Sequence, residues 1–368
     1  MASKKPAKWR KKRILIVSDG KRGHLHQMEG VVHRMHGVVG KKVEIRMSKP
    51  YYYLLLLLAF AARRLSFSRE YIWLWLSRVV RSSIGSLDQF SPDLILSAGS
   101  LTHPVTYLMG KVWKSRTVIC MRPSVLSPRD FDLVVAPRHD RDRCRGLNVI
   151  YTLGAASDIS EGTIFAEAVA LYSRLKGRVT RPIGLLMGGN SAARYLDEET
   201  AREILSEALL ACEENDLTLL CCSSRRTPAA VERMMEDELD GNERCGYMLI
   251  ASRDPENPVP GIVGLCEVVV VTDDSVSMVS EIATGGKTAV VVEIGKKRRR
   301  SKFDRLFEEL ADENYIRYTA PEGLNRAITE ALDERREGAR VLDEAGKVAL
   351  EIERRFFGGG GGSGVRME

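Results

Sequence analysis

Residues 268–293 read VVVVTDDSVSMVSEIATGGKTAVVVE, and this stretch decides the fold. Val268 to Val271 form an unbroken β-branched run, as expected for a strand buried on both faces. Thr272, Asp273 and Asp274 turn the chain. Val276, Val279 and Ile282 then recur at helical spacing after Ser275, and Gly285-Gly286 stops the helix. Residues 288–292 make a second buried strand. A strand–helix–strand unit of this kind belongs to a parallel sheet. Its helix N-terminus carries unpaired N–H groups and partial positive charge beside hydroxyls and carboxylates, which suits a phosphate. The same residues also serve as ordinary caps in a crossover without a ligand, and spacing alone leaves both readings open.

Working outward, further strands are expected at residues 13–18, 43–47, 93–97, 117–121, 131–136, 182–187, 217–222 and 247–251. The first leads into a glycine-bearing loop, Asp19 to His24, and a helix over 27–35. Helices are also expected over 165–175 and, started by Asp197, to Glu213. Strands alternating with helices predict parallel sheets, and 368 residues predict two domains.

Residues 51–62 read YYYLLLLLAFAA, closed by Arg63-Arg64, and residues 71–76 read YIWLWL, followed by Arg78 and Arg81. Neither run reaches the roughly 20 residues that span a bilayer. Aromatics, leucines and flanking arginines suit a segment lying in a membrane interface. A buried helical hairpin accounts for the same pattern, since the leucine run is apolar all round.

The net charge of +7 is concentrated in the lysines and arginines of residues 4–13 and in residues 296–300. Such blocks attract phosphates on nucleic acid, lipid headgroups or nucleotides. Nucleic acid is disfavoured, because the blocks lack interleaved aromatics or a recognisable module. Glycines 20 and 23 do not complete a dinucleotide fingerprint, which disfavours a dehydrogenase. Seven cysteines without metal-ligand spacing imply reduced thiols and a cytoplasmic location, and the first residues lack the apolar core of a secretion signal.

Four motifs, in order, carry a resemblance. They are Asp19-Gly20-x-x-Gly23-His24-x-x-Gln27, Phe131-Asp132-Leu133-Val134-Val135-x-Pro137-x-His139-Asp140, Ser224-Arg225-Arg226-Thr227-Pro228 and Thr272-x-Asp274-Ser275-Val276-Ser277-Met278. Together they resemble the elongated-mitochondria (mitochondrial fission) family over about residues 14–318. Gly188-Gly189-Asn190 departs from that family's frequent Gly-Gly-Pro, and Arg122-Pro123 stands where an acidic residue is more usual. More distantly, the chain is similar to GT-B glycosyltransferases such as the lipid I transferase and lipid-A-disaccharide synthase. That likeness implies two Rossmann-like parallel-sheet domains facing a cleft.

On that plan residues 1–12 are a basic disordered tail and 13–155 an acceptor domain with a membrane-facing segment at 51–80. Residues 156–180 are a linker helix, 181–335 a nucleotide-sugar-binding domain, 336–357 a C-terminal helix and 358–368 a disordered tail. The resemblance places Gly23, His24, Gln27, Ser100 and His103 on the acceptor side. It sets the loop from Gly188 to Arg194 against a donor diphosphate and Glu281 against the donor ribose.

Transfer from a nucleotide sugar needs charge or N–H donors on the leaving diphosphate, an anchor for the nucleotide and a base for the acceptor hydroxyl. Gly188, Gly189, Asn190 and Ser191 offer a loop that backbone can bring close to phosphate. Arg225 and Arg226 end a strand, where parallel sheets bind ligands. Asp274, Ser275, Ser277 and Glu281 surround a helix start. His24, which titrates near neutrality, is the first choice for the base, with Asp19 orienting or deprotonating. Neither metal nor cofactor is expected beyond the nucleotide-sugar substrate. The expected partners are that sugar, a lipid-linked acceptor and an anionic membrane surface. The competing expectation is a non-catalytic adaptor that keeps the fold and recruits proteins to a membrane.

Overall fold

The computed structural model describes residues 11–80, 87, 89–159, 161–175, 179–297, 302–334 and 340–358. The basic block before residue 11, residues 298–300 of the second block and the glycine-rich tail from 359 lie outside the described residues. The chain forms two compact units, one of residues 1–152 with 345–368, the other of residues 153–344.

In the first unit, strands β1 (Lys12–Ser18), β2 (Val38–Glu44), β3 (Leu94–Ala98), β4 (Arg116–Cys120), β5 (Leu133–Pro137) and β6 (Val149–Thr152) form one parallel sheet. Their order is β2-β1-β3-β4-β5-β6, so the winding direction reverses between β1 and β3. Ile14 to Val17 are buried, as a strand covered on both faces requires. β2 lies earlier than the expected 43–47, because its register with β1 runs from Lys12↔Val38 to Ser18↔Glu44. Gly40, Lys41 and Lys42 occupy a largely solvent-facing edge, where no apolar alternation is demanded. β6 lies where no strand is expected from the sequence.

The first helix runs Arg22–His33, ahead of the expected start at Gln27. Gly23 and His24 therefore lie in its first turn, and the loop shrinks to Asp19, Gly20 and Lys21. The two apolar runs become helices Lys49–Ala61 and Arg69–Leu76. Leu55, Leu56, Ala59, Ile72 and Leu76 face the core, while Tyr53 (60% exposed), Leu57 (66%) and Leu74 (53%) face out. The pattern thus serves a buried contact and an exposed apolar face at once. No described helix is long and apolar enough to cross a membrane.

The second unit holds β7 (Pro182–Leu186), β8 (Arg194–Tyr195), β9 (Thr218–Cys222), β10 (Cys245–Leu249), β11 (Val268–Thr272), β12 (Thr288–Val292), β13 (Gly295–Lys296) and β14 (Ile316–Thr319). Six make a parallel sheet ordered β10-β9-β7-β11-β12-β14, while β8 and β13 pair separately. Winding reverses between β7 and β11. All four valines of β11 are fully buried, each contributing about 1.5–3 kcal/mol of apolar burial. Helix Glu198–Asn215 is capped by Asp197, whose side chain accepts from the Thr200 N–H at 2.8 Å. Helix Glu161–Leu175 packs against helix Val259–Leu265. At the unit's two ends, the Leu153 N–H donates to Glu344 Oε1 at 3.1 Å. Beyond it, helix Glu344–Ile352 and the turn Glu353–Phe357 return to the first unit, where the His36 N–H donates to Glu353 Oε1 at 2.7 Å.

Candidate functional site

Open parallel sheets gather ligands outside the carboxyl ends of their strands at the point where winding reverses. In the second unit that point is the β7/β11 junction, and the expected loops meet there. The Gly188 N–H donates to Thr272 Oγ1 at 2.8 Å, and the Thr272 hydroxyl donates to Asp274 Oδ1 at 2.6 Å. Arg226 Nη2 donates to Asp274 Oδ2 at 2.7 Å, and the Asn190 N–H donates to the Arg226 carbonyl at 3.0 Å. Thr227 Oγ1 closes the set by donating to the Gly188 carbonyl at 2.5 Å.

This knit changes the meaning of the glycines. A Cβ on Gly188 would overlap Asp274 Oδ1, and one on Gly189 would overlap the Arg226 carbonyl. Their missing side chains admit the chain's own loops. Asp274 is buried with both oxygens engaged. Burial pushes its carboxyl up, opposed by the Thr272 hydrogen bond and by Arg226. The Asn190 and Ser191 side chains also turn inward, Asn190 Oδ1 accepting from the Leu196 N–H at 3.1 Å and Ser191 Oγ from the Arg194 N–H at 3.1 Å. Arg194 does not face a ligand: its side chain is fully buried, with Nε donating to Asp273 Oδ2 at 2.7 Å and Nη2 to Asp304 Oδ1 at 2.6 Å. Tyr318 joins them through its hydroxyl, which donates to Asp273 Oδ2 at 2.9 Å.

Arg225 and Ser277 are exposed, and Ser275 is half-buried at the start of helix Val276–Thr284. Glu281 is half-buried on that helix, and desolvation pushes its carboxyl up to about 7. A carboxylate stripped of water attracts hydroxyl donors.

In the first unit the reversal point lies between β1 and β3. His24 Nδ1 sits 3.1 Å from both Asp19 oxygens. The carboxylate accepts, so Nδ1 carries a hydrogen; in the neutral ring that leaves Nε2 as the acceptor. Gly99, at the end of β3, has φ +92°, and a Cβ there would lie 2.7 Å from His24 Nδ1 and 2.8 Å from Asp19 Oδ2. Gly23, by contrast, would meet nothing within 4 Å. Ser100 is exposed and Gln27 half-buried nearby in sequence.

His103 is buried. Its ring stands edge-on to Phe131 at 5.9 Å, and its Nε2 has no hydrogen-bond partner among the described residues. Burial, helped by the charge of His24, lowers its pKa to about 4, so it is neutral at ordinary pH. It lies beneath the surface, near enough to His24 to feel its charge. Sequence reasoning missed Gly99 as a fitted residue and missed the Arg194–Asp273–Asp304–Tyr318 cluster. The φ of Gly99 leaves no local signal, and the cluster joins residues far apart in the chain. Only the adjacency of Asp273 to Asp274 hinted that one of the two faces inward.

Two parallel sheets, each reversing its strand order and each collecting polar loops at the reversal, define a GT-B-like α/β protein built of Rossmann-like units. The chain belongs to the family described as Mitochondrial fission ELM1, which it matches over residues 22–356. It is similar to the uncharacterized protein RP120 of Rickettsia prowazekii (strain Madrid E), at 21% identity over 369 residues, covering 91% of this chain and 96% of that one. Among solved structures it is similar to UDP-N-acetylglucosamine 2-epimerase from Rickettsia bellii, with TM-score 0.52, 13% identity and 94% and 95% of the two chains covered. It is also similar to UDP-GlcNAc 2-epimerase from Neisseria meningitidis bound to UDP-GlcNAc, with TM-score 0.51, 14% identity and coverage of 93% and 100%. Likenesses at this identity establish the architecture.

Proposed function

We propose that the protein is a glycosyltransferase that takes a nucleotide sugar on its second unit and uses the Asp19–His24 pair of its first unit as the base toward a lipid-linked acceptor. The observation that carries the reading is the rim of the β7/β11 junction. There the desolvated Glu281 carboxylate and the hydroxyls of Ser275 and Ser277 share one helix, beyond the loop that carries Arg225. Glu281 accepts from the ribose hydroxyls, while Arg225 and the helix N-terminus meet the diphosphate. Asp274 positions Arg226, and Gly188, Gly189, Asn190 and Ser191 hold the floor on which the nucleotide rests. The binding of UDP-GlcNAc by the Neisseria relative in fold supports a nucleotide-sugar ligand of the same class.

His24 Nε2 takes the proton of the acceptor hydroxyl as its oxygen bonds to the sugar's anomeric carbon and the bond from that carbon to the diphosphate oxygen breaks. The nucleoside diphosphate leaves with its charge met by Arg225 and the helix N-terminus, and Asp19 stabilises the resulting imidazolium. Gly23, Gln27 and Ser100 stand on the acceptor side. The exposed face of helices Lys49–Ala61 and Arg69–Leu76, bordered by Lys49, Arg64, Arg69 and Arg78, rests on anionic membrane where such an acceptor is found.

Isothermal titration with UDP, GDP and CDP sugars tests the donor site. One should bind, Glu281→Ala and Arg225→Ala should weaken it, and His24→Ala should bind normally yet fail to transfer. Folded protein that binds none of them excludes the enzyme. It would favour a non-catalytic adaptor, a reading that the interlocked Gly188–Asp274 floor also fits.

A further inference from the structure

The two apolar helices of the first unit have a second feature besides their exposed face. Between the turn that joins them and the end of helix His103–Trp113 lies a cavity of ≈ 580 Å³. Leu65, Phe67, Ile72, Val112 and Trp113 give it apolar walls. Three cations, Arg69, Lys111 and Lys114, stand at its edge, and no carboxylate is among the described residues that line it. Glu70 faces an adjoining depression with Arg69, Trp73 and Gln89 instead.

Lys114 closes the helix in the left-handed region, at φ 53°, and is exposed, while the Lys111 ammonium stands 5.2 Å from the Tyr107 ring centroid. The indole Nε1 atoms of Trp113 and Trp73 are buried without a hydrogen-bond partner among the described residues, and the two rings meet edge-on at 5.1 Å. Buried donors of this kind normally find an acceptor.

Apolar walls under an all-cationic edge fit an amphiphile with an anionic head. A free anion would not need the walls, and a neutral lipid would not need the edge. Leu65 both lines the cavity and is 60% exposed, and Leu57 and Leu74 of the two adjoining helices are exposed as well. We infer that this groove takes one anionic phospholipid, an acyl chain along Phe67, Ile72 and Val112 and the phosphate against Lys111 and Lys114. The inference rests on the reading of this face as membrane-directed and specifies which lipid chemistry it recognises.

Lysophosphatidylglycerol below its micelle concentration tests the groove without a membrane. All four tryptophans lie in the first unit's sequence; Trp113 lines the groove and Trp73 packs edge-on against it, so emission reports occupancy. The lipid should shift that emission saturably, and lysophosphatidylcholine should do so far more weakly. Lys111→Gln with Lys114→Gln should weaken binding by about thirtyfold, at an unchanged melting temperature. Leu57→Ser should leave monomer binding intact while reducing sedimentation with phosphatidylglycerol-containing vesicles. If vesicles fail to bind but the monomer binds through the lysines, the groove stands and the membrane-surface reading falls. The inference is overturned if monomeric lysophosphatidylglycerol produces no saturable change, or if the double lysine variant binds it as tightly as the parent.

Discussion

The two winding-reversal points of this protein are built from the same topology and finished differently. At β1/β3 a single histidine leans on a single carboxylate, and the neighbouring strand end gives way to it through Gly99. One ring nitrogen stays uncommitted. At β7/β11 nearly every polar atom of the floor is committed to another loop, and only the rim keeps groups to offer. On the proposed function the difference separates two physical tasks. A proton-transfer group must be held firmly while its working nitrogen remains accessible. A platform for a large anionic ligand must be rigid below and adaptable above.

The strongest way to break the contrast is beneath the second floor. Arg194→Met leaves the buried Asp273 and Asp304 carboxylates without their guanidinium, and should cost about 3–5 kcal/mol. Far-UV circular dichroism in denaturant should show the loss, while tryptophan emission, which reports the first unit, should keep its midpoint. Next in size is Gly188→Ala, whose Cβ overlaps Asp274, at about 3 kcal/mol by the same measurement.

The two glycines beside His24 come next. Gly99→Ala forces a side chain into a left-handed backbone and against the His24 ring, and should destabilise the first unit by about 1–3 kcal/mol. Gly23→Ala meets nothing and lies in a helix, so it should stabilise by about 0.5–1 kcal/mol. Tryptophan-monitored unfolding reads both.

The remaining test is a titration. Glu281 ionises at about 7 in the fold against an ordinary value of 4.5. Between those values the unfolded chain has lost its proton and the folded chain has kept it, so this group makes stability fall as pH rises from 4.5 to 7. Glu281→Gln should flatten that part of the stability profile. Nucleotide-sugar affinity, which uses the ionised carboxylate, should run the other way and decline below pH 7.

The fold was legible because its strands carry their own signal. Val268–Thr272 and residues 14–17 are so uniformly apolar that burial on both faces was the only economical reading. Of the strands at the sheet margins, β10 was legible to within two residues, but β2 was displaced and β14 was not legible. β2 carries Gly40, Lys41 and Lys42 in the middle of its ladder, and β14, with the sequence IRYT, has too few apolar residues to stand out from the helices around it. For the candidate site, sequence order brought the right loops into view, because strand ends predict where loops meet. It did not reveal which polar atoms are spent on one another. Gly188 and Gly189 read as a loop whose backbone can approach a phosphate; what the sequence did not show is that their missing side chains make room for Asp274 and the Arg226 carbonyl. His103 reads as a loop histidine and is a neutral ring beneath the surface.

The hydrogen bond from Leu153 to Glu344 has an engineering corollary. Entry and exit of the second unit are side by side, so residues 153–344 form an insert whose ends already touch. Such a segment can be cut out and expressed as one continuous piece, and a short glycine–serine bridge across the gap should let residue 152 rejoin residue 345. The proposed nucleotide platform and the histidine pair can then be handled as separate proteins, each with its own assay.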